Sequence, residues 1–569
     1  MDDIYEPLER YRDELKDAFR KNAEEAFAEI EKQSAVDKAA NKETCRKIEK
    51  VNELIINNNN KLSGFKWLKW LMIAAAVVLF VLPFVSYTVA ANVWMIVLFV
   101  VLGIALIVLA FTAVQNRIKQ IKAVVSAFEA QRQTLLQEAQ AQMKSLNALF
   151  SWDIPTKLIE KTVPNIHFDP YFNAARVKQL SEEFGYTGSL NQNASVLFAH
   201  SGEIKGNPFV IATTRNFQWG LKTYTGYLTI QWQEKVTDSE GKSHYVTRTQ
   251  TLTATVTKPC PQYDDRTFLL YANEAAPDLS FSRKPEGLAE DAPFVDLRKK
   301  IKRKNLERFS RKMNDKSDYT MMANQDFEVM FSTKDRDNEV QYRLLFTPLA
   351  QKTLLTLMQD QRYGYGDDFS IMKAKMINVV YPKHLQHFDL NTDPEKWMDY
   401  SFEAVKQRFL RVNQEYFRAF YFAFAPLLSI PLYQQTRTRK EIYGRDLIGD
   451  SSFWEWESIA NYKGEARFMH PRSITPNILK TNLLQSNDNG TKEIEIRAYG
   501  FSGTNRVDYI PVWGGDGNLH SVPVPWVQYN PVNRRSAMAI KECPEADKEV
   551  IRNDSRPTRQ FRRKIAFDD

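Results

Sequence analysis

The sequence predicts an α+β protein: an N-terminal transmembrane helical hairpin with a coiled-coil stalk, followed by a mixed α+β cytoplasmic region. Three observations predict it. Two apolar runs, residues 65–87 and 93–114, stand a few residues apart, and each is about the 20 residues that cross a bilayer as one helix. A 3-4 apolar seam follows over residues 118–149, and such a seam over about four heptads argues for a coiled coil. After Pro155, Pro164 and Pro170 the pattern switches repeatedly between strand-like and helix-like runs, as in an α+β region.

Residues 1–62 read as an amphipathic N-terminal helix. Ile4, Leu8, Tyr11, Leu15, Phe19, Ala23, Phe27 and Ile30 recur every three or four residues, the helical period. After a weaker stretch at 34–41, Cys45, Ile48, Val51 and Ile55 resume the stripe, and Asn57, Asn58, Asn59 and Asn60 mark a polar break before the membrane. The hairpin spans 65–114. Lys61, Lys66 and Lys69 stand before it, Arg117, Lys119 and Lys122 after it, and the link at 86–92 carries no Lys or Arg. The positive-inside rule then puts both termini and the large region in the cytoplasm, with the chain integral to the inner (plasma) membrane. Trp67, Trp70, Tyr87 and Trp94 sit at the run ends, where aromatic belts form. A charged stretch of about 60 residues precedes the first run, which rules out a signal peptide. Two buried core helices would carry a polar stripe, and these runs carry none.

The segment 115–153 is the coiled coil. Ile118, Ile121, Val125, Phe128, Leu135, Ala139, Leu146 and Leu149 keep the seam, with Arg132 and Gln142 in its two remaining positions. No Gly or Pro interrupts 115–153, and the second span with this segment forms one helix of roughly 85 Å. The simplest stalk is an antiparallel pair with the first helix; a homo-oligomeric bundle is the alternative.

Residues 154–290 form a β-rich domain. Tyr224, Gly226, Leu228, Ile230 and Trp232 alternate with polar residues, as do Leu252, Ala254 and Val256, and 238–242 with Gly241 is the turn between them. Residues 268–271 are a further strand. The segment 291–390 holds a basic helix and an α+β domain, in which 327–331 and 341–346 are strands joined by a charged turn at 335–339. Thr347-Pro348 opens a helix running to about Asp360. Residues 391–532 combine a helix at 395–422 with a late β-meander at 493–499, 507–513 and 519–527. The tail 533–569, with Arg556, Arg559, Arg562, Arg563 and Lys564, is polar, basic and disordered.

The 569 residues are 43% hydrophobic and 26% charged, with a formal net charge of +8. About 420 residues follow the helical region, enough for two or three domains with cores of their own. Cys45, Cys260 and Cys543 lie far apart without CxxC spacing, which excludes a disulfide framework and a Cys-rich zinc site and fits a reducing compartment. The positive charge suits an anionic inner leaflet or nucleic acid. It concentrates on the helix 294–313. Leu297, Ile301, Asn305, Phe309 and Met313 share one face there, and the rest is Arg298, Lys299, Lys300, Lys302, Arg303, Lys304, Arg308, Arg311 and Lys312. These nine are the candidate anionic-surface residues, for lipid headgroups before nucleic acid or an acidic protein, beside the simpler reading of a structural helix with a solvated charged face.

No motif carries catalysis, a cofactor or a metal. His384 and His387 form H-x-x-H near Asp389 and Asp393, but without a zincin glutamate they read as solvated loop histidines. Gly514-Gly515-Asp516-Gly517 lacks the acid-Phe pair of the GG[DE]EF signature and reads as a hairpin turn. Gly364-Tyr365-Gly366-Asp367-Asp368 has no phosphate-loop lysine and reads as a flexible polar loop. Ser201 follows His200 in sequence only, and Cys260 between Pro259 and Pro261 reads as a constrained turn. The apolar stretch 419–433 reads as a buried core helix. As a third span it would export Arg437, Arg439, Lys440 and Arg445.

The middle of the chain is familiar. Asp326-Phe327-Glu328-Val329-Met330-Phe331, then Gln341-Tyr342-Arg343-Leu344-Leu345-Phe346-Thr347-Pro348, then Leu354, Leu355 and Leu357, resemble an uncharacterised family of bacterial membrane proteins. The resemblance covers residues 60–385 and is closest at 320–385. It implies two N-terminal transmembrane helices before a cytoplasmic domain of unknown function, and no catalytic residues. This chain departs from it by a longer N-terminal helix and an added C-terminal region. The functional expectation is a membrane-anchored cytoplasmic scaffold or interaction protein, its protein partner unidentified. The alternatives are a membrane-anchored enzyme or effector with scattered site residues, and a membrane-tethered nucleic-acid-binding protein.

Overall fold

The computed structural model describes residues 4–85, 93–188, 193–237, 242–287, 295–313, 319–436, 450–487, 490–542, 558–561 and 564–568. The expected link at 86–92, most of the 238–242 turn, and Arg437, Arg439, Lys440, Arg445 and Arg556 lie outside the described residues. In chain order the helices are α1 (Pro7–Arg10), a π-helical turn Tyr11–Leu15, α2 (Lys16–Ser34), α3 (Lys38–Val85), α4 (Val93–Leu109), a second π-helical turn Ala110–Val114, α5 (Gln115–Asn147), α6 (Ile154–Thr162), α7 (Ala174–Glu182), α8 (Val295–Met313), α9 (Gln325–Phe331), α10 (Glu339–Leu345), α11 (Pro348–Gln359), α12 (Phe402–Leu428), α13 (Pro431–Gln435) and α14 (Phe453–Lys463). The strands are β1 (Ile166–Phe168), β2 (Ala194–Ile204), β3 (Asn207–Thr237), β4 (Ser243–Ala272), β5 (Ser280–Arg283), β6 (Phe369–Ala374), β7 (Ile377–Pro382), β8 (Ile478–Ser486), β9 (Thr491–Trp513), β10 (Leu519–Glu542), β11 (Thr558–Phe561) and β12 (Lys564–Asp568). Two compact units divide the chain: Ala23–Phe150 with Pro394–Val412, and Met1–Asn22 with Ser151–Asp393 and Asn413–Asp569.

In the helical unit, Ala35 takes a left-handed φ of 48° and ends the first helical run. The Asp37 carboxylate accepts from Ala39 N and Ala40 N at 2.9 and 3.0 Å and starts α3, as N-cap chemistry requires. The expected break at 57–60 is absent. Asparagine costs only a few tenths of a kcal/mol in a helix, and Asn58 donates back to Leu54 O at 2.7 Å, so α3 runs unbroken. It meets α5 in reverse order: Asn41 donates to Gln142 at 3.3 Å, Leu62 packs with Ile118, and Lys69 donates to Gln115 at 2.9 Å. Asn41, Thr44, Ile48, Val51 and Leu62 are buried on α3, and Ile118, Val125, Ala139, Met143 and Leu146 on α5. Phe27 packs on Phe402 and Phe409, and Phe150 on Trp397 and Phe409.

The other unit holds two antiparallel sheets, ordered β1-β2-β3-β4-β7-β6-β5 and β11-β12-β10-β9-β8. The first joins the segments read apart at residue 290. The β3–β4 hairpin pairs from Phe209↔Tyr271 out to Thr237↔Ser243, yet β2 flanks β3 only to Asn216 and β7 flanks β4 only over Leu269–Ala272. Likewise β8 reaches β9 only to Tyr499, and β12 meets β10 only from Met538. Among the described residues, each hairpin therefore extends past its sheet as a two-stranded ribbon. The ribbons pack face to face: Ile230, Leu252 and Ala254 with Val522 and Val524, flanked by Tyr224, Leu228, Trp232, Val256, Ile510 and Val512. Two-stranded ribbons are marginal alone, so each supplies the other's core. At Gly226 an added Cβ would lie 2.0 Å from Pro523 O; only glycine permits that approach. On the opposite face of β3–β4, threonines pair across the strands, Thr223 with Thr257 at 3.1 Å and Thr229 with Thr251 at 3.2 Å.

Residues 4–22 belong to this unit and lie along its own helical stretch 413–436. Tyr11 contacts Phe417, Tyr421 and Phe422, Phe19 stacks on Phe417 with centroids 4.3 Å apart, and Ile4 N donates to Gln434 at 2.8 Å. The stretch 419–433, expected as a core helix, is buried.

Several expectations are corrected. The segments 327–331 and 341–346 are not strands but helices α9 and α10. Asn324 and Asn338 cap them, accepting from Phe327 N and Gln341 N at 3.2 and 3.0 Å, and short apolar runs do not distinguish helix from strand. Thr347 caps α11 as expected, accepting from Ala350 N. The three-stranded meander is instead two long strands. Gly500 and Gly503, between the first two expected strands, lie inside β9, where a Cβ on Gly500 would strike Asn477 and Ser473. Strand β10 continues to Glu542, past the expected start of the tail, and β11 and β12 pair within it.

Candidate membrane-contacting surfaces

Helical stretches Lys38–Leu82 and Trp94–Asn147 are long and apolar enough to cross a membrane. Only 6% and 11% of their most apolar windows are buried. A soluble core helix of that composition would be buried. Val77, Val78, Val81, Val97, Leu98, Val101, Ile104 and Val108 instead point outward. A contiguous apolar surface of this kind marks a site for lipid or protein. Toward each other the helices present small residues: Ala76 and Ala110 are fully buried, and a Cβ on Gly103 would touch the Phe80 ring at 3.0 Å. Lys69 lies over the Phe111 ring at 4.3 Å. Trp67, Trp70 and Trp94 are exposed at the ends of the apolar runs.

The basic helix exists as α8, but its buried face differs from the expected one. Leu306 is buried with Val329 and Met321, and Phe309 packs edge-on against Tyr319 at 5.1 Å. On that side Lys302 pairs with Glu286 at 2.5 Å and Arg303 with Asp326 at 2.9 Å. Burial lowers the Lys302 ammonium pKa, and Glu286 opposes that shift. Leu297 and Ile301 are more than half exposed. The face runs through positions 299, 302, 306 and 309 because Leu306 and Phe309 find apolar partners there. Of the nine basic residues, Lys302 is thus a paired group, and Lys299, Lys302 and Arg303 are half-buried. Arg298, Lys300, Lys304, Arg308, Arg311 and Lys312 are exposed, with Arg298 donating to Gly287 O at 3.2 Å.

The remaining sequence candidates resolve as structure. His384, expected in solvent, is enclosed: it stacks on Tyr365 with centroids 3.9 Å apart and bonds Asp368 at 2.5 Å and Ala419 O at 2.9 Å. His387 is exposed. The loop 364–368 is tied down rather than loose. Asp360 accepts from Tyr363 N and Gly364 N, and Asp367 pairs with buried Arg283. The 514–518 turn is as expected: Gly514 N donates to Asn518 O and Gly517 has φ +77°. Asp516 accepts from Asn518 and His520, which pulls its pKa down to about 2. Cys260 is not in a turn but mid-strand on β4, opposite Gly220. His200 and Ser201 are consecutive on β2 and so point to opposite faces; Ser201 donates to Asp169 at 2.6 Å.

Sequence reasoning missed the buried ionic groups. Arg336 pairs with Glu328 and Glu339 at 2.8 and 2.7 Å. Glu457 lies near Lys480 at 3.1 Å, and burial raises its carboxyl pKa to about 7. Lys373 donates to the Ala275 and Lys375 carbonyls, and burial lowers its pKa to about 7. Shifts of this size also mark active sites, but both groups already have backbone partners, Glu457 accepting from Val196 N and Lys373 donating to the two carbonyls. Only Arg336 and Glu339, three residues apart and followed by Arg343, left a local charge pattern. Among the described residues no three His, Cys, Asp or Glu side chains gather as a metal site. No family model, curated protein or solved structure matches the chain.

Proposed function

We propose that this is a membrane-anchored scaffold or interaction protein. In this reading, α3 and α4 cross the bilayer as a hairpin, and α3 with α5 forms an antiparallel coiled-coil stalk. The sheet-bearing unit then lies on the cytoplasmic side. The observation that carries the reading is the outward apolar surface of α3 and α4, which in water would expose a bilayer-length band of aliphatic side chains. Two further features support it. Residues 4–22 pack on residues 413–436. The two segments must share a compartment, so the chain between them crosses any membrane an even number of times. Lys and Arg flank the apolar runs on their outer sides only. For the interaction role, the ribbons display Trp219, Tyr227, Tyr245, Tyr509 and Trp513 to solvent, and Tyr and Trp are the residues that anchor interfaces.

The test is alkaline extraction of membranes together with reporters active only in the cytoplasm, fused before Met1 and after Asp569. The chain should stay in the membrane pellet and both reporters should be active. Release into the supernatant, or an inactive reporter after Asp569 beside an active one at the N-terminus, contradicts the reading. For the interaction role, crosslinking in intact membranes should yield adducts that Tyr509→Ser with Trp513→Ser removes.

A further inference from the structure

We propose that the outward face of α8 is a docking surface for the anionic surface of a lipid bilayer. The inference rests on the membrane reading above and adds a second, reversible contact. With Lys302, Leu306 and Phe309 turned into the unit, the helical period fixes what points away. Leu297, Ile301, Lys304, Arg308 and Arg311 follow one another at spacings of four, three, four and three, and every one is exposed. Lys300 and Lys312 flank them and are exposed as well. The helix's acids, Asp296 and Glu307, lie off this face by about a quarter turn. Among the described residues, Lys300, Lys304, Arg308, Arg311 and Lys312 take part in no ion pair. The result is two exposed aliphatic side chains at one end of a cationic surface that no carboxylate among the described residues pairs with.

That combination selects the occupant. A polyanion in water, such as nucleic acid, satisfies the cations but gives Leu297 and Ile301 nothing to enter, because its outer surface is phosphate and sugar. A bilayer interface satisfies both: phosphate headgroups meet the Lys and Arg, and the two aliphatic groups reach the acyl boundary just beneath. An acidic protein surface likewise lacks that layered order. The same chain carries two bilayer-length helices, so a bilayer is the anionic surface this helix meets. Lys302 and Arg303, paired with Glu286 and Asp326, hold α8 to the unit, and they and half-buried Lys299 are not part of the docking face.

The test uses the full chain in lipid nanodiscs, with Cys45, Cys260 and Cys543 replaced by Ser and an environment-sensitive fluorophore on Asn305→Cys, beside the face but outside it. Discs of phosphatidylcholine alone are compared with discs that also contain phosphatidylglycerol. The emission should shift to the blue in the anionic discs only, and added salt should reverse the shift, since screening contracts to roughly 8 Å at physiological strength. The combined variant Lys300→Gln, Lys304→Gln, Arg308→Gln, Arg311→Gln and Lys312→Gln should lose the shift while unfolding at the parent's temperature. Lys302→Gln should keep it. Equal emission in both discs overturns the proposal, as does a shift that survives in the five-Gln variant. A shift produced by duplex DNA or single-stranded RNA and not by anionic lipid overturns it in favour of nucleic acid. A chain that does not enter the discs counts against the membrane-anchored reading instead. The labelled chain mixed with anionic and neutral vesicles then decides the α8 face by the same shift.

Discussion

Glu457 and Lys373 are ionisable groups enclosed by protein, and burial drives their pKa values toward each other, both to about 7. Their consequences for stability have opposite signs. Glu457 holds its proton more tightly when folded than when unfolded. The stability this gives is complete below the ordinary glutamate range and is lost as pH rises through about 7. Lys373 holds its proton less tightly when folded. Its contribution is complete above the ordinary lysine range and is lost as pH falls through about 7. The two together give a stability minimum near neutrality. Glu457→Gln keeps an oxygen to accept from Val196 N, 2.9 Å away in the parent, and should remove the acid-side slope. That slope is on the order of 3 kcal/mol. Lys373→Met should remove the alkaline-side slope. Unfolding midpoints followed across about pH 5 to 9 check both. A parent whose midpoint is flat over that range contradicts the assignment.

At the scale of elements, the paired ribbons show how strands persist without a sheet around them. Threonine and β-branched residues favour the pleat, and the inner faces bury one another. Val524 is fully buried at that contact, whereas Thr253 is exposed on the far side of its ribbon. Val524→Asp should cost several kcal/mol and open both ribbons to protease. Thr253→Asp should stay within about 0.5 kcal/mol of the parent. Equal effects in a denaturant titration would mean that the ribbons do not share a core. Prolines sit where no third strand is paired: Pro259 and Pro261 on β4, Pro511 on β9, Pro523, Pro525 and Pro531 on β10. Each removes an N–H that another chain would use for strand addition. Much of this was legible in sequence. The alternation of Tyr224 to Trp232 and Leu252 to Val256, the Gly514 to Gly517 turn and the Thr347 cap are all local signals. The identity of α9 and α10 was not legible, because mostly apolar runs of only five and six residues, 327–331 and 341–346, fit either period. Neither was the buried face of α8, which Val329, Met321 and Tyr319 choose from outside the helix. The pairings of Arg283 with Asp367 and Glu457 with Lys480 join residues 84 and 23 positions apart, and no spacing rule connects those.

At the scale of the molecule, residues 4–22 pack with residues 413–436, and the Ile4–Gln434 bond joins positions 430 apart. Phe19 is fully buried against Phe417. Phe19→Ala should cost about 3 to 5 kcal/mol and expose the 413–436 stretch to proteolysis, read as new cleavage sites by mass spectrometry. An unchanged digest would mean that the contact does not hold this region closed. The contact also imposes an order on synthesis. The first segment leaves the ribosome some 400 residues before its partner, which at about 5–20 residues per second is a delay of tens of seconds. Through that interval Leu8, Tyr11, Leu15 and Phe19 lack the side chains of 413–436 that they pack on in the folded chain. Residues 4–22 are therefore made long before they can find their place, and a chaperone that shelters an apolar helical stripe has its opportunity in that interval.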